Sequence, residues 1–147
     1  MKNFILLTAL LLTAVSMQAQ DIDAEIAALG NAWEAAYERG DAAALAAVYA
    51  GKVEFVNEDG SVSTATRTDI EADWAKTFAA NTGTIEFADD MVATLLSDGK
   101  ASTKGSFTQT MTNKETGETT TFKGRFHHQA LKVDGRWLLS RIEVIPQ

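Results

Sequence analysis

Apolar residues recur at three- and four-residue spacing at Ile22, Ile26, Leu29, Trp33, Ala36 and Tyr37. That spacing predicts an amphipathic helix from about Ile22 to Arg39. Gly40 suits the left-handed turn at its end, and Asp41 can cap a second helix from about Ala42 to Ala50. Leu45, Val48 and Tyr49 form that helix's inward side. Arg39-Gly40-Asp41 also spells an adhesion tripeptide, but the tight corner accounts for its glycine and aspartate. The period then changes. Lys52 to Asn57 alternates, with Val53 and Phe55 on one face, and reads as a short strand. Asp59-Gly60 is a turn signal, and Ser61 to Ala65 returns as a second strand. Thr68 can cap a third helix, Asp69 to Ala80, with Glu71 completing a capping box and Ile70, Trp74 and Phe78 as its buried stripe.

From Thr84 onward the pattern is that of four long strands: Thr84–Leu96, Lys100–Asn113, Glu118–Val133 and Arg136–Ile145. Asp98-Gly99, Thr116-Gly117 and Asp134-Gly135 separate them as hairpin turns. Strands this long predict bulges and strong curvature. The order predicts an α+β fold, a cone-shaped curved sheet, mixed or antiparallel, wrapped around three N-terminal helices.

The first residues follow a different logic. Met1-Lys2-Asn3 is a short basic start, Phe4 to Val15 an apolar run, and Ser16 to Gln20 small and polar. This is the pattern of a secretory signal peptide, with Ala19 as the last residue removed. Residues 1–19 are thus expected to be an address and residues 20–147 one domain. The expected location is periplasmic or secreted, in a bacterium. No cysteine follows the apolar run, so no lipid anchor is expected. No membrane association is expected after cleavage.

Composition narrows the chemistry. There are 13 Lys and Arg against 20 Asp and Glu, a net charge of −7, and no cysteine. Disulfides, Cys-ligated metals and thiol nucleophiles are excluded. An acidic chain does not suit a nucleic-acid backbone, which needs clustered cations. Residues 21–80 hold twelve acids and four bases, while residues 81–147 hold eight of each. The negative charge therefore belongs to the predicted helical part, as a solvated helix face.

The segment Ala32-Trp33-Glu34-Ala35-Ala36-Tyr37-Glu38-Arg39-Gly40-Asp41, followed by Ala42 to Tyr49, resembles the opening of the SnoaL-like family. That family belongs to the nuclear transport factor 2-like superfamily. Glu58-Asp59-Gly60, Arg67-Thr68-Asp69-Ile70 and Lys132-Val133-Asp134-Gly135-Arg136-Trp137 are similar too. Thr66 departs from relatives that carry glycine before the third helix. The resemblance implies a pocket between the concave sheet face and the helices, and a homodimer formed through the outer face. It also implies a range of functions: polyketide cyclisation, ketosteroid isomerisation, dehydration or plain ligand binding. In the isomerases, the base position falls on Asn57, the tyrosine donor on Trp33 and the acidic donor near His127. All three differ in type, and an amide cannot act as the base. Ketosteroid isomerase activity is therefore not expected.

The residues themselves suggest the rest. His127 and His128 are adjacent on a strand and face apart, so they cannot chelate one metal together. No metal or cofactor is expected. Phe122, Gly124, Phe126, His128 and Ala130 share the apolar face, which puts His128 inward as the one candidate acid or base. Asp89-Asp90 reads as solvated acid near a bulge. Arg141 and Glu143 share a face with Trp137 and Leu139, whereas Leu138, Ile142 and Val144 share the other; either face can line the pocket. The expected pocket comprises Trp33, Tyr37, Phe55, Trp74, Phe107, Phe126, His128 and Arg141. The expected function is binding a small, largely apolar molecule. The alternatives are a cyclase, isomerase or dehydratase using His128, helped by Arg141 or Glu143, and a dimerising association module whose cavity is filled.

Overall fold

The first apolar stripe folds as helix α1, residues 22–39, in a computed structural model that describes residues 22–147. The expected signal peptide and its cleavage site lie outside the described residues. Ile22, Ile26, Leu29, Ala36 and Tyr37 of α1 are buried. Gly40 takes a left-handed φ of 65°, as the corner requires. Asp41 then caps helix α2, Ala42–Ala46, by accepting from the Ala44 N–H at 2.9 Å.

Helix α2 is shorter than its pattern predicts. Tyr49 belongs instead to strand β1, Tyr49–Val56. Val48 and Tyr49 are β-prone, and the sheet offers partners that a longer helix would forgo: the Leu139 N–H donates to the Val48 carbonyl at 2.9 Å. Strand β2, Val62–Thr66, pairs antiparallel with β1. Helix α3 runs Arg67–Ala80 and starts two residues earlier than expected. Its capping box uses Thr66 and Asp69, not Thr68 and Glu71. Thr66 thus fills the place where relatives carry glycine. Arg67, at the first helical position, donates twice to the Tyr49 carbonyl, at 3.0 and 2.6 Å, and ties the helix start to β1.

The rest is sheet: β3 (Asn81–Phe87), β4 (Val92–Ser97), β5 (Lys100–Asn113), β6 (Thr119–Val133) and β7 (Arg136–Pro146). The strand order is β2-β1-β7-β6-β5-β3, with β4 also paired to β5. The β1–β7 pair is parallel and the others are antiparallel. The sheet is therefore mixed, curved and unclosed. Helix α1 packs its buried stripe into one core with residues of α3 and the sheet.

Two of the sheet's irregularities shape its concave face. The single strand expected over Thr84–Leu96 is broken into β3 and β4. Phe87 pairs with Phe107 and Val92 with Lys104, so Ala88 to Met91 face only Gly105 and Ser106. Asp90 fills this bulge, accepting from the Ser106 N–H at 2.9 Å and the Ser106 hydroxyl at 2.7 Å. Those hydrogen bonds hold its carboxyl below the usual range. The second irregularity is in β7. Gln129 pairs with Arg141 and Ala130 with Leu139, leaving Ser140 as an extra residue.

Close approach to the sheet rests on glycines. A Cβ at Gly83 would lie 2.8 Å from Cε1 and Cζ of Tyr37, and closer still to its hydroxyl. Tyr37 is 1% exposed, and its hydroxyl accepts from Gln109 Nε2 at 2.7 Å, so the ring has little freedom to move. Replacing Gly83 by alanine is expected to destabilise the protein by about 1–3 kcal/mol through overpacking. Urea denaturation checks this; an unchanged midpoint would show that Tyr37 shifts freely.

Candidate functional site

Between the concave sheet face and helices α1 and α3 lies a cavity of about 600 Å³. Helix α1 contributes Leu29 and Trp33, and α3 contributes Ile70 and Trp74. Tyr49, Phe55, Ser63 and Ala65 close one side from β1 and β2. Ile85, Phe87, Thr103, Phe107 and Gln109 come from β3 and β5. Phe122, Phe126 and His128 of β6, with Leu139, Ile142 and Val144 of β7, complete the wall. Asp73, exposed and 3.6 Å from Lys76, supplies a charge at the rim.

An aromatic network gives this wall its shape. Trp33 stacks on Tyr37 with centroids 5.1 Å apart and meets Trp74 edge-on at 5.9 Å. Trp74 stacks on Phe78 at 5.4 Å. Across the cavity, Phe126 lies 5.7 Å from Phe87, 6.4 Å from Phe107 and 5.0 Å from the His128 ring. Edge-on and offset contacts of this kind add to the area the rings bury. Gly105 and Gly124 let the rings lie against the strands, since a Cβ at either would come within 2.9 Å of a phenylalanine ring.

The polar groups of the wall are few. The Trp33 indole donates to the Tyr49 hydroxyl at 2.8 Å. Burial pushes the Tyr49 phenol up to about 12, against a smaller downward pull from the Trp33 indole. Tyr49 therefore stays protonated. His128 is half-buried against Phe126, and desolvation pulls its imidazole down to about 4. The Glu143 backbone N–H donates to its Nδ1 at 3.4 Å. At neutral pH the ring is uncharged. Its Nδ1 meets the Glu143 N–H, and the neutral ring carries no charge to give up as an acid. Among the described residues, no group of three or more His, Asp or Glu side chains could hold a metal ion.

Six of the eight expected pocket residues line this cavity: Trp33, Phe55, Trp74, Phe107, Phe126 and His128. Two do not. Tyr37 lies one helical turn beyond Trp33, sealed beneath its ring and over Gly83. Arg141 is on the opposite face of the sheet, 2.6 Å from Glu54. The extra residue Ser140 is the cause: Trp137 and Leu139 point inward before it, Ile142 and Val144 after it. Each of the two alternating faces is thus inward over half of the strand. Glu143 is likewise turned outward, where its carboxylate meets His127 at 3.3 Å. Neither Arg141 nor Glu143 brings its side chain to His128 from within the cavity. The sequence reading missed Thr103 and Gln109 as wall residues, although both share the face of Phe107 on β5 by simple alternation.

The curved, unclosed sheet around helices is the nuclear transport factor 2-like cone. The chain belongs to the SnoaL-like domain family, whose pattern matches residues 18–143. Among solved structures it is similar to Kfla4162 from Kribbella flavida, with a TM-score of 0.76 and 16% identity over 88% of this chain and 93% of that one. A candidate scytalone dehydratase from Novosphingobium aromaticivorans gives 0.73 and 14%, over 92% and 86%. A candidate calcium/calmodulin dependent protein kinase II association domain from Xanthomonas campestris gives 0.66 and 27%, over 84% and 86%. No curated protein matches the chain significantly. Family and fold agree with what the sequence motifs imply.

The state of His128 has a consequence for stability. Its folded-state value lies below the ordinary 6.5, so the unfolded chain takes up the proton first. Stability should therefore fall as pH drops from about 6.5 towards about 4. Urea melts across that window should show a flatter profile for His128→Gln. Parallel profiles would mean that the folded protein protonates His128 as freely as the unfolded chain does.

Proposed function

We propose that this protein binds a small, largely apolar molecule in the cavity beneath α1 and α3. The observation that carries this reading is the cavity itself. A core aromatic normally fills such space, because interiors pack to crystal-like density. Here Trp33, Trp74 and Phe107 border about 600 Å³ and leave it open. That volume falls within the usual range for small-molecule sites, and the wall has the usual character, mostly apolar with a few polar groups. An open cavity speaks against a filled, purely associative module. A neutral His128 with Nδ1 already engaged speaks against acid–base chemistry at that residue.

Two further elements belong to this reading. Export is supported by the signal-type N-terminus and by a family match that begins at residue 18, next to the expected cleavage site. A homodimer through the outer sheet face is supported by the exposed Leu131 and Ile145 there, and by the similarity to a candidate association domain.

Titration with the uncharged fluorophore N-phenyl-1-naphthylamine tests the binding. Saturable fluorescence enhancement is expected, and Ala65→Trp, which fills the cavity from β2, should abolish it. Equal enhancement in the filled variant would place the probe elsewhere and overturn the reading. For export, mass spectrometry of the protein from the envelope fraction should find Gln20 as the first residue; an intact chain retained in the cytoplasm would refute it.

A further inference from the structure

We infer that the bound molecule is amphipathic: its apolar part lies in the cavity, and an uncharged, polyhydroxylated head of the sugar type lies in a second hollow beyond Gln109 and Phe122. This rests on the binding reading above and adds a polar end to the ligand.

The first observation is where the second hollow lies. It measures about 370 Å³ and sits on the same concave face, towards the turn between β5 and β6. Gln109 and Phe122, opposite each other across those strands, line both spaces, so the two meet at this pair. Beyond the pair Met111 faces Thr120, and Asn113 and Glu118 close the end of the hairpin. Asn81 of β3 borders the other side. The chemistry changes across the pair. The cavity is mostly aromatic and aliphatic, whereas the hollow carries three amide side chains, a hydroxyl and a carboxylate.

The second observation is how the amides are held. Asn81 Nδ2 donates to the Thr77 carbonyl at 3.1 Å, and Gln109 Nε2 donates to the Tyr37 hydroxyl at 2.7 Å. Asn113 Oδ1 accepts from the Glu115 and Thr116 N–H groups at 2.9 and 3.0 Å. The protein thus fixes each amide at one end. The other ends, Asn81 Oδ1, Gln109 Oε1 and Asn113 Nδ2, have no hydrogen bond to a described residue. Groups already fixed lose little freedom when a ligand meets them. The free ends mix acceptors with a donor. A hydroxyl both donates and accepts, so adjacent hydroxyls on a ring match such a mixture. Phe122, 36% exposed, offers a flat face to the C–H side of a sugar ring.

Charge narrows the class. No Lys or Arg lines either space, so an anionic head would lose hydration with no cation to meet it. Glu118 is exposed, where salt screens its attraction for a cation. The fixed amides select for neither charge.

Three probes on one scaffold test this. They are 2-naphthyl β-D-glucopyranoside, 2-methoxynaphthalene, which lacks the head, and (2-naphthylmethyl)trimethylammonium, whose head is cationic. Binding is read by displacement of N-phenyl-1-naphthylamine. The glucoside should bind at least about fivefold tighter than the methyl ether, the weight of one neutral hydrogen bond. Thr120→Trp, which fills the second hollow from an exposed strand position, should remove that advantage and leave the ether unchanged. Asn113→Asp keeps the oxygen that holds the turn and exchanges the free donor for an acceptor. It should weaken the glucoside by about fivefold and leave the ether unchanged. A glucoside that binds no tighter than the ether, or whose advantage survives in both variants, would overturn the second subsite while leaving the cavity a binding site. Equal losses for both probes would do the same. Tighter binding of the ammonium than of the glucoside would overturn the uncharged head. If the fluorophore itself does not bind, the binding reading fails and the subsite with it.

Discussion

Thirteen consecutive residue pairs join β5 to β6, from Lys100 opposite Leu131 to Thr112 opposite Thr119, without an interruption. The strands on either side of this ladder cannot follow it evenly. On one side Ala88 to Met91 face only two residues of β5; on the other, Ser140 is extra in β7. Extra residues on the flanking strands increase local twist and bend the sheet. The bend keeps the concave face away from α1 and α3, and the space between becomes the cavity. Asp90 and Ser106 hold one bulge in place from the edge. The other bulge, in β7, sends Arg141 and Glu143 outward and turns Ile142 and Val144 inward. One geometric constraint therefore sets both the volume of the site and its lack of charge.

Polar groups around the cavity divide into those with partners and those without. Tyr49 accepts from the Trp33 indole, and its carbonyl takes the fork of Arg67. Glu25 ties α1 to the β6–β7 hairpin through Lys132 and the Trp137 indole, and its carboxyl is lowered by those two hydrogen bonds. Tyr37 and Gln109 satisfy each other at 2.7 Å. These contacts fix the helices against the sheet and set the positions of the aromatic rings. Besides Tyr49, the titratable groups of the wall are His128 and, at the rim, Asp73. His128 is neutral chiefly because its ring is desolvated.

Much of this was legible in the sequence because it depends on local periodicity. Residues such as Ile22, Ile26 and Leu29 repeat with the helical period, and the Gly-containing turns bound β5, β6 and β7 to within one residue of their observed ends. Alternation along β6 correctly separates His128 from His127. What failed needed information from a distance. Tyr49 reads as helical until β7 offers it a parallel partner. Thr66 and Thr68 are equally good caps on paper; the strand that ends at Thr66, and the reach of Arg67 to the Tyr49 carbonyl, decide between them. The facing of Arg141 depends on one unpaired residue whose only symptom is a slipped register with β6. Tyr37 carries the same helical stripe as Trp33, and only the glycine beneath it shows that it is a floor, not a wall. Thr103 was hidden by abundance, since threonine fills these strands and alternation alone does not tell a paired hydroxyl from an orphaned one.

That orphan is the informative exception. Around it the local choices agree with the fold: apolar residues on the concave face, caps on the helices, glycines where rings meet strands. A sequence consistent at so many levels breaks a rule most often where function requires it. Thr110 and Thr121, and Thr112 and Thr119, face each other across the same two strands and lie within hydrogen-bonding reach as pairs. Thr103 stands opposite His128, and its buried hydroxyl has no partner among the described residues. A valine there would be the better choice for stability alone.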